Sequence, residues 1–382
     1  MRDNLNTAAT VVLAIGMGAI PSQHVLGAPA ALPTISGPLT PNPDPTQIET
    51  GVFGTLDLTG TVGGLASWQD NSAASDRRSG ADLSNAQFFL QSTRGRLQFF
   101  LQVGAYSLPS LGTAYLNASK TPRETYGFVP QAFLKFASGD RFSFEVGKLP
   151  SLIGVESTFT FENADIERGL LWNQTSSVSD GIQLNYADGP LNVSISWNDG
   201  YYSARYNWFT ALVSYALNGD AETFMVSGGT NLGHTGYSTF ATPLPQNNSA
   251  ILDIAYTASL GRWAFTPYLQ FSRVPPNCGL GFGNGASTAG AALLVSYKQD
   301  DRWSVAARAE ALATMGDMNL LYGPESGAWS ATLTPTYQNG VFFARAEAAY
   351  VGSENGRNGF TLGRRLENSS QARLMLETGM LF

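Results

Sequence analysis

From Gly51 to the C-terminus the chain alternates apolar and polar residues with a period of two. That period marks strands with one face in an apolar medium and the other in water. In 191–197, Leu191, Val193, Ile195 and Trp197 share one face, and Asn192, Ser194 and Ser196 the other. In 303–311, Trp303, Val305, Ala307, Ala309 and Ala311 alternate with Ser304, Ala306, Arg308 and Glu310. Seven tight polar turns interrupt the pattern, at 94–95, 138–140, 188–189, 218–220, 260–262, 299–301 and 338–340. Pairs such as Asp188-Gly189 and Asn339-Gly340 supply the positive φ of two-residue hairpins. Eight longer segments lie between them: 69–82, 107–125, 149–176, 199–206, 232–247, 274–286, 316–325 and 353–369. Short and long connections alternate along the whole chain, as in an antiparallel up-and-down barrel. The count predicts sixteen strands, near 51–68, 83–94, 96–106, 126–138, 140–148, 177–188, 189–198, 207–217, 219–231, 248–260, 261–273, 287–299, 301–315, 326–337, 340–352 and 370–382. An even number puts both barrel ends of the chain at the short-turn rim, expected to be periplasmic.

The aromatics point to lipid as the apolar medium. Phe136, Phe142, Tyr186, Tyr215, Trp263, Tyr297, Trp303, Tyr337 and Phe342 lie near the short turns. Trp68, Phe128, Trp197, Phe209, Phe271, Trp329 and Tyr350 lie near the long loops. A secreted sandwich or propeller also alternates but has no reason to place aromatics at both ends; two girdles bounding a lipid-facing band do. The expected fold is therefore all-β, a transmembrane up-and-down barrel of the bacterial outer membrane, with outer-membrane lipid as its partner. The last strand carries Ala372, Leu374, Leu376, Thr378, Met380 and Phe382 on one face. This terminal Phe382 resembles the assembly signal of outer-membrane barrels, which implies the barrel-assembly machinery as a partner.

Composition agrees. Of 382 residues only 13% are charged, and the net charge is −7, which disfavours nucleic acid as a partner. No apolar run approaches the ~18 residues of a membrane helix. One cysteine, Cys278, allows no intrachain disulfide, and the two histidines, His24 and His234, limit histidine chemistry. Residues 1–30 read as a signal peptide, with Arg2, an apolar stretch over 7–20 and Ala28-Pro29-Ala30 as a cleavage site. Residues 31–50, with five prolines, read as a periplasmic linker, leaving 51–382 for the barrel.

The stretch Glu145-Val146-Gly147-Lys148-Leu149-Pro150-Ser151-Leu152-Ile153-Gly154 resembles the "GK-x-P-x-LIG" segment of the β-barrel porin-2, or OmpL-like, family. Glu156 and Asn163 resemble its continuation. Ile166-Glu167 stand where that family has Tyr-Ser, and Ser179-Asp180-Gly181 where it has His-Thr-Gly. The resemblance implies an outer-membrane pore-type barrel. Sixteen-stranded general and carbohydrate porins are a more distant likeness.

Strand parity turns Asp57, Lys135, Arg141, Glu145, Asp253, Lys298, Arg308, Glu310, Arg345, Glu347, Arg373 and Glu377 inward, six of each sign. Such a pore wall, with many glutamines, suits ions and small hydrophilic solutes, and a barrel of about sixteen strands leaves an aqueous channel. The longest loop, 149–176, is the third. By likeness to general porins, it is expected to fold inward as the pore constriction, carrying Glu156, Glu162, Asp165, Glu167 and Arg168: four acids and one base, net −3. Facing Arg308, Arg345 and Arg373 across an eyelet, it would set up a transverse field and a weak cation preference. Equally, Arg308 with Glu310 and Arg345 with Glu347 pair along the wall and only solvate it. Ala307, Ala309, Ala311 and Ala344, Ala346, Ala348 make small outward faces, read either as a subunit interface, as of a homotrimer, or as plain lipid face.

The reading is a porin for passive diffusion, with no enzyme activity and no cofactor implied. One alternative is a closed structural or adhesive barrel without transport, marked by a lumen shut by side chains or by the third loop. Another is a barrel hydrolase using His234, with Ser238 as nucleophile; a hydrogen bond from His234 to a serine and an acid would mark it.

Overall fold

The structure, a computed structural model, describes residues 39–382 apart from 52, 74, 75, 93, 219, 220 and 317–319. Residues 1–30, expected to be a signal peptide, and most of the expected linker lie outside the described residues. Among these, the strands in chain order are β1 (Thr46–Thr50), β2 (Gly54–Gln69), β3 (Ser79–Ser92), β4 (Leu97–Tyr106), β5 (Gln131–Ser138), β6 (Phe142–Pro150), β7 (Val178–Asp188), β8 (Leu191–Asn198) and β9 (Trp208–Leu217). There follow β10 (Glu222–Asn231), β11 (Ala250–Leu260), β12 (Trp263–Val274), β13 (Ala286–Lys298), β14 (Trp303–Gly316), β15 (Gly327–Asn339), β16 (Phe342–Glu354) and β17 (Ser370–Leu381). From β2 onward each pairs with the next, and β17 pairs antiparallel with β2, closing a ring of sixteen. The alternation of short turns and long loops is as expected. Gly189 and Gly340 take φ of +56° and +58° in the two-residue turns after β7 and β15.

β1 was not expected. The sixteen residues of β2 outrun the twelve of β17, whose pairing ends at Leu381 opposite Thr61. Beyond that point β1 takes over the edge, from Thr46 opposite Leu58 to Thr50 opposite Gly54. The last residues of the supposed linker thus form a strand, because they cover backbone groups that would otherwise stand as an open edge. At the seam Phe382 exchanges two backbone hydrogen bonds with Gly60, at 2.7 and 2.9 Å.

The outer surface is apolar, with Phe136, Trp197, Leu269, Trp303 and Leu333 among its exposed large side chains. Cross-strand ring pairs mark the short-turn girdle: Phe142 with Tyr186, Trp263 with Tyr297 and Trp303 with Tyr337, with centroids 4.6–4.9 Å apart. The buried core lies within the bore. Phe159 and Phe161 of the third loop pack with Tyr106, Phe89 and Phe343, and Leu170 and Leu171 with Leu111, Tyr268 and Leu312.

Candidate functional site: the third loop across the lumen

The third loop joins β6 to β7 over 151–177. β6 is the fifth strand of the ring and β14 the thirteenth, eight steps apart in sixteen and so on opposite sides. Three arginines hold the loop to that far wall. Arg308 of β14 reaches Glu156 at 2.5 Å, Glu310 at 3.3 Å and Asp165 at 3.5 Å, and donates to the Glu167 carbonyl at 2.9 Å. Arg345 of β16 donates to the carbonyls of Asn163 and Thr160 at 2.9 and 3.0 Å, and pairs with Glu377 of β17. Arg373 of β17 pairs with Glu167 and donates to the carbonyls of Ser110 and Thr113 in the second loop.

The wall's carboxylates complete the match. Glu347 accepts the backbone N–H groups of Ile166 and Glu167, and Glu310 those of Leu170 and Leu171. Buried backbone groups must find partners, and here the wall supplies them, so an irregular segment can lie in the bore. A Cβ at Gly169 would lie 2.2 Å from a Glu310 oxygen, so a side chain there would displace the carboxylate that receives the Leu170 and Leu171 N–H groups. Burial raises the pKa of Glu156 to about 7; Arg308 pulls it down, while Glu310 and Asp165 push it further up. The Arg168 guanidinium is buried, has no hydrogen bond among the described residues and lies 5.6 Å from the Trp172 ring centre. Burial lowers its pKa to about 10 against the pull of Glu156 and other carboxylates, which leaves it charged at neutral pH.

The family model described as "Putative beta-barrel porin-2, OmpL-like" matches residues 55–382. This chain belongs to that family. The protein is accordingly a porin-family channel barrel of the bacterial outer membrane. No curated protein matches it. Among solved structures, this porin is similar to the anion-selective porin from Comamonas acidovorans, at 13% identity and a TM-score of 0.59 over 86% of this chain and 99% of that one. It is similar to the outer membrane channel DcaP of Acinetobacter baumannii, at 9% and 0.59 over 88% and 99%. It is also similar to the trimer form of OmpT, an outer membrane protein of Vibrio cholerae, at 11% and 0.58 over 86% and 99%. These likenesses are of fold.

The porin's inward charges are distributed unevenly. Lys135 and Glu145, directly opposed on β5 and β6, form a buried pair at 3.8 Å. Asp57 and Asp253 are buried. Arg141 is a correction: it lies on the short turn before β6, 62% exposed, paired with Asp188 at 3.3 Å, because strand parity does not extend past a strand's end. Lys298, the last residue of β13, is likewise half-exposed, 3.4 Å from Asp301. The opposed charges are a second correction. The arginines do not face the acidic loop across an opening; they touch it, in ion pairs that are almost wholly buried. Of the five loop residues, Glu156, Asp165 and Glu167 meet wall arginines, Arg168 packs on Trp172, and Glu162 accepts the Phe159 N–H within its own turn.

Sequence reasoning missed the loop's backbone as the main ligand of the wall, and the second loop's part in it. Ser110 and Arg168 form a parallel bridge, and nothing periodic in either loop foretells it. His234 is exposed, and among the described residues no hydrogen bond joins its ring to a serine or an acid, so the hydrolase constellation is not assembled.

Proposed function

We propose that this barrel is a diffusion pore for ions and small hydrophilic solutes, weakly cation-preferring, and does no enzymatic chemistry. The observation that carries the reading is the third loop lying across the bore with an excess of carboxylates. Around Arg308 alone stand Glu156, Asp165 and Glu310, three acids to one base. Solutes passing beside the loop meet a negative field, which favours cations. The reading includes a cleaved signal peptide over 1–30, a periplasmic linker reaching to β1, short turns in the periplasm and assembly through Phe382. A homotrimer through the alanine faces of β14 and β16 fits it as well; trimer form is reported for the Vibrio cholerae relative.

A closed structural or adhesive barrel is the second reading. What favours it is the burial of the inner wall: Gln87, Ser194, Asp253, Arg308 and Thr334, on strands all around the ring, are at most 2% exposed. Single-channel recording in a planar bilayer under a KCl gradient decides between them. The pore reading expects reproducible open steps with a reversal potential of cation-preferring sign. Anion preference would remove the acidic-loop argument, and folded barrels that never conduct would leave the closed barrel.

A further inference from the structure

Beside the third loop, a cavity of about 310 Å³ lies among the second, third, fourth and fifth long loops. That volume is at the lower end of ordinary small-ligand pockets, ~300–1,000 Å³. Two properties of its wall narrow what it would hold. None of its fifteen lining residues is charged, so an ionic solute entering would lose hydration with no countercharge in return. Four lining residues are aromatic: Tyr126 and Tyr201 are buried in the wall, Trp172 is half-buried and Phe240 is 58% exposed. The lining also holds serine and threonine hydroxyls and the Asn173 amide; Thr125, Thr175 and Asn173 donate to the carbonyls of Thr121, Trp172 and Leu111, and Ser110 donates to the Asn173 Oδ1, so what they keep for a solute is mainly acceptor capacity.

Flat apolar faces beside neutral hydroxyl and amide groups suit a solute of the same mixed character. A pyranose presents C–H groups on one face and hydroxyls around its rim. The rim hydroxyls of a pyranose can donate to the lining oxygens, which a hydrocarbon cannot do, and an ion would find no countercharge among the lining residues. We propose that this cavity is a binding site for an uncharged mono- or disaccharide at the long-loop mouth of the barrel. The Trp172 ring is one of the aromatic faces that line it. It belongs to the third loop, and the Arg168 guanidinium lies 5.6 Å from its centre. The proposal rests on the pore reading for what the site feeds, but binding itself requires no conduction.

The test is calorimetric titration of the folded full-length protein in detergent with glucose, maltose, cellobiose, sucrose and glucuronate. Saturable binding of at least one neutral sugar is expected, with glucuronate clearly weaker. Trp172→Ala and, at the exposed rim, Phe240→Ala should each weaken it about tenfold or more. Arg141→Ala, on the short turns, should leave it unchanged. Retained heat-modifiable mobility on gels identifies the variants that fold, and Phe240→Ala keeps the test open should Trp172→Ala misfold. No saturable binding by any neutral sugar overturns the site. Glucuronate binding as tightly overturns the ligand class, and binding that survives both aromatic substitutions overturns the location. Conductance recorded on the same preparations separates failure of this site from failure of the pore reading.

Discussion

Replacing Arg308 by alanine should loosen the third loop from its wall. The side chain is fully buried, and its guanidinium lies within 3.5 Å of Glu156, Glu310 and Asp165. Without it, three carboxylates share a dry site with no cation at their centre. Removing one partner of a buried ion pair costs about 3–5 kcal/mol. At 1.4 kcal/mol per factor of ten, that is a roughly hundred- to several-thousand-fold shift against the docked loop. The β-ladder takes no part in these contacts, so the strands should stay paired while the loop releases. Single-channel recording should show larger, noisier open steps, and limited proteolysis should cut within 151–177 where the parent resists. Arg308→Lys should fall between, since an ammonium keeps the charge but loses the guanidinium fork. Arg141→Ala, which removes an exposed pair, should match the parent. Parental conductance together with parental protease resistance in Arg308→Ala would refute the idea that this cation holds the loop.

Other outcomes follow from the same geometry. Because the Glu156 pKa stands at about 7 in the docked loop against 4.5 for a free carboxyl, docking gains stability below the free value and loses it as pH rises through 7. Conductance should therefore fall reversibly on acidification from about pH 8 to pH 5; a rise would contradict that sign. At Gly60 an added Cβ would lie 2.5 Å from the Phe382 ring and 2.9 Å from the Gln87 carbonyl oxygen. Gly60→Ala should cost about 1–3 kcal/mol, seen as a lower temperature of heat-modifiable unfolding. Deleting Phe382 removes two seam hydrogen bonds and its edge contact with Phe88, and should lower the folded yield in membranes. Cys278, exposed in the loop after β12, should react in intact cells with a membrane-impermeant thiol reagent; labelling only after lysis would invert the orientation.

The barrel was legible because its physics is local. A period of two and the chemistry of Asp-Gly and Asn-Gly turns fix strand after strand without reference to distant residues, and the girdle aromatics follow from a strand's length in lipid. β1 escaped notice because Thr46–Thr50 gains its meaning only from the mismatch in length between β2 and β17. At the third loop, parity named the wall residues Arg308, Glu310, Arg345, Glu347, Arg373 and Glu377, and all six face inward and are buried. It could not say what they touch. Their partners are mostly backbone groups, such as the N–H of Leu170 and the carbonyl of Asn163, which every residue type carries and no pattern advertises. Arg141 was misplaced for a simpler reason: a face is defined only while the strand lasts.

The loop's dependence on the wall also sets the order in which this molecule can fold. Thr160 meets Glu377 across 217 residues of chain, and Leu170 meets Glu310 across 140. Contacts so distant in sequence carry a large entropy of loop closure and form late. Until β14 to β17 have been laid down, the N–H groups of Ile166, Glu167, Leu170 and Leu171 and the Asn163 carbonyl have only water to bind. That part of the segment must therefore travel through assembly hydrated, while Phe159 and Phe161 already have Tyr106 and Phe89 on earlier strands to pack against, so a chain halted before its last four strands would hold the loop by its aromatic end alone.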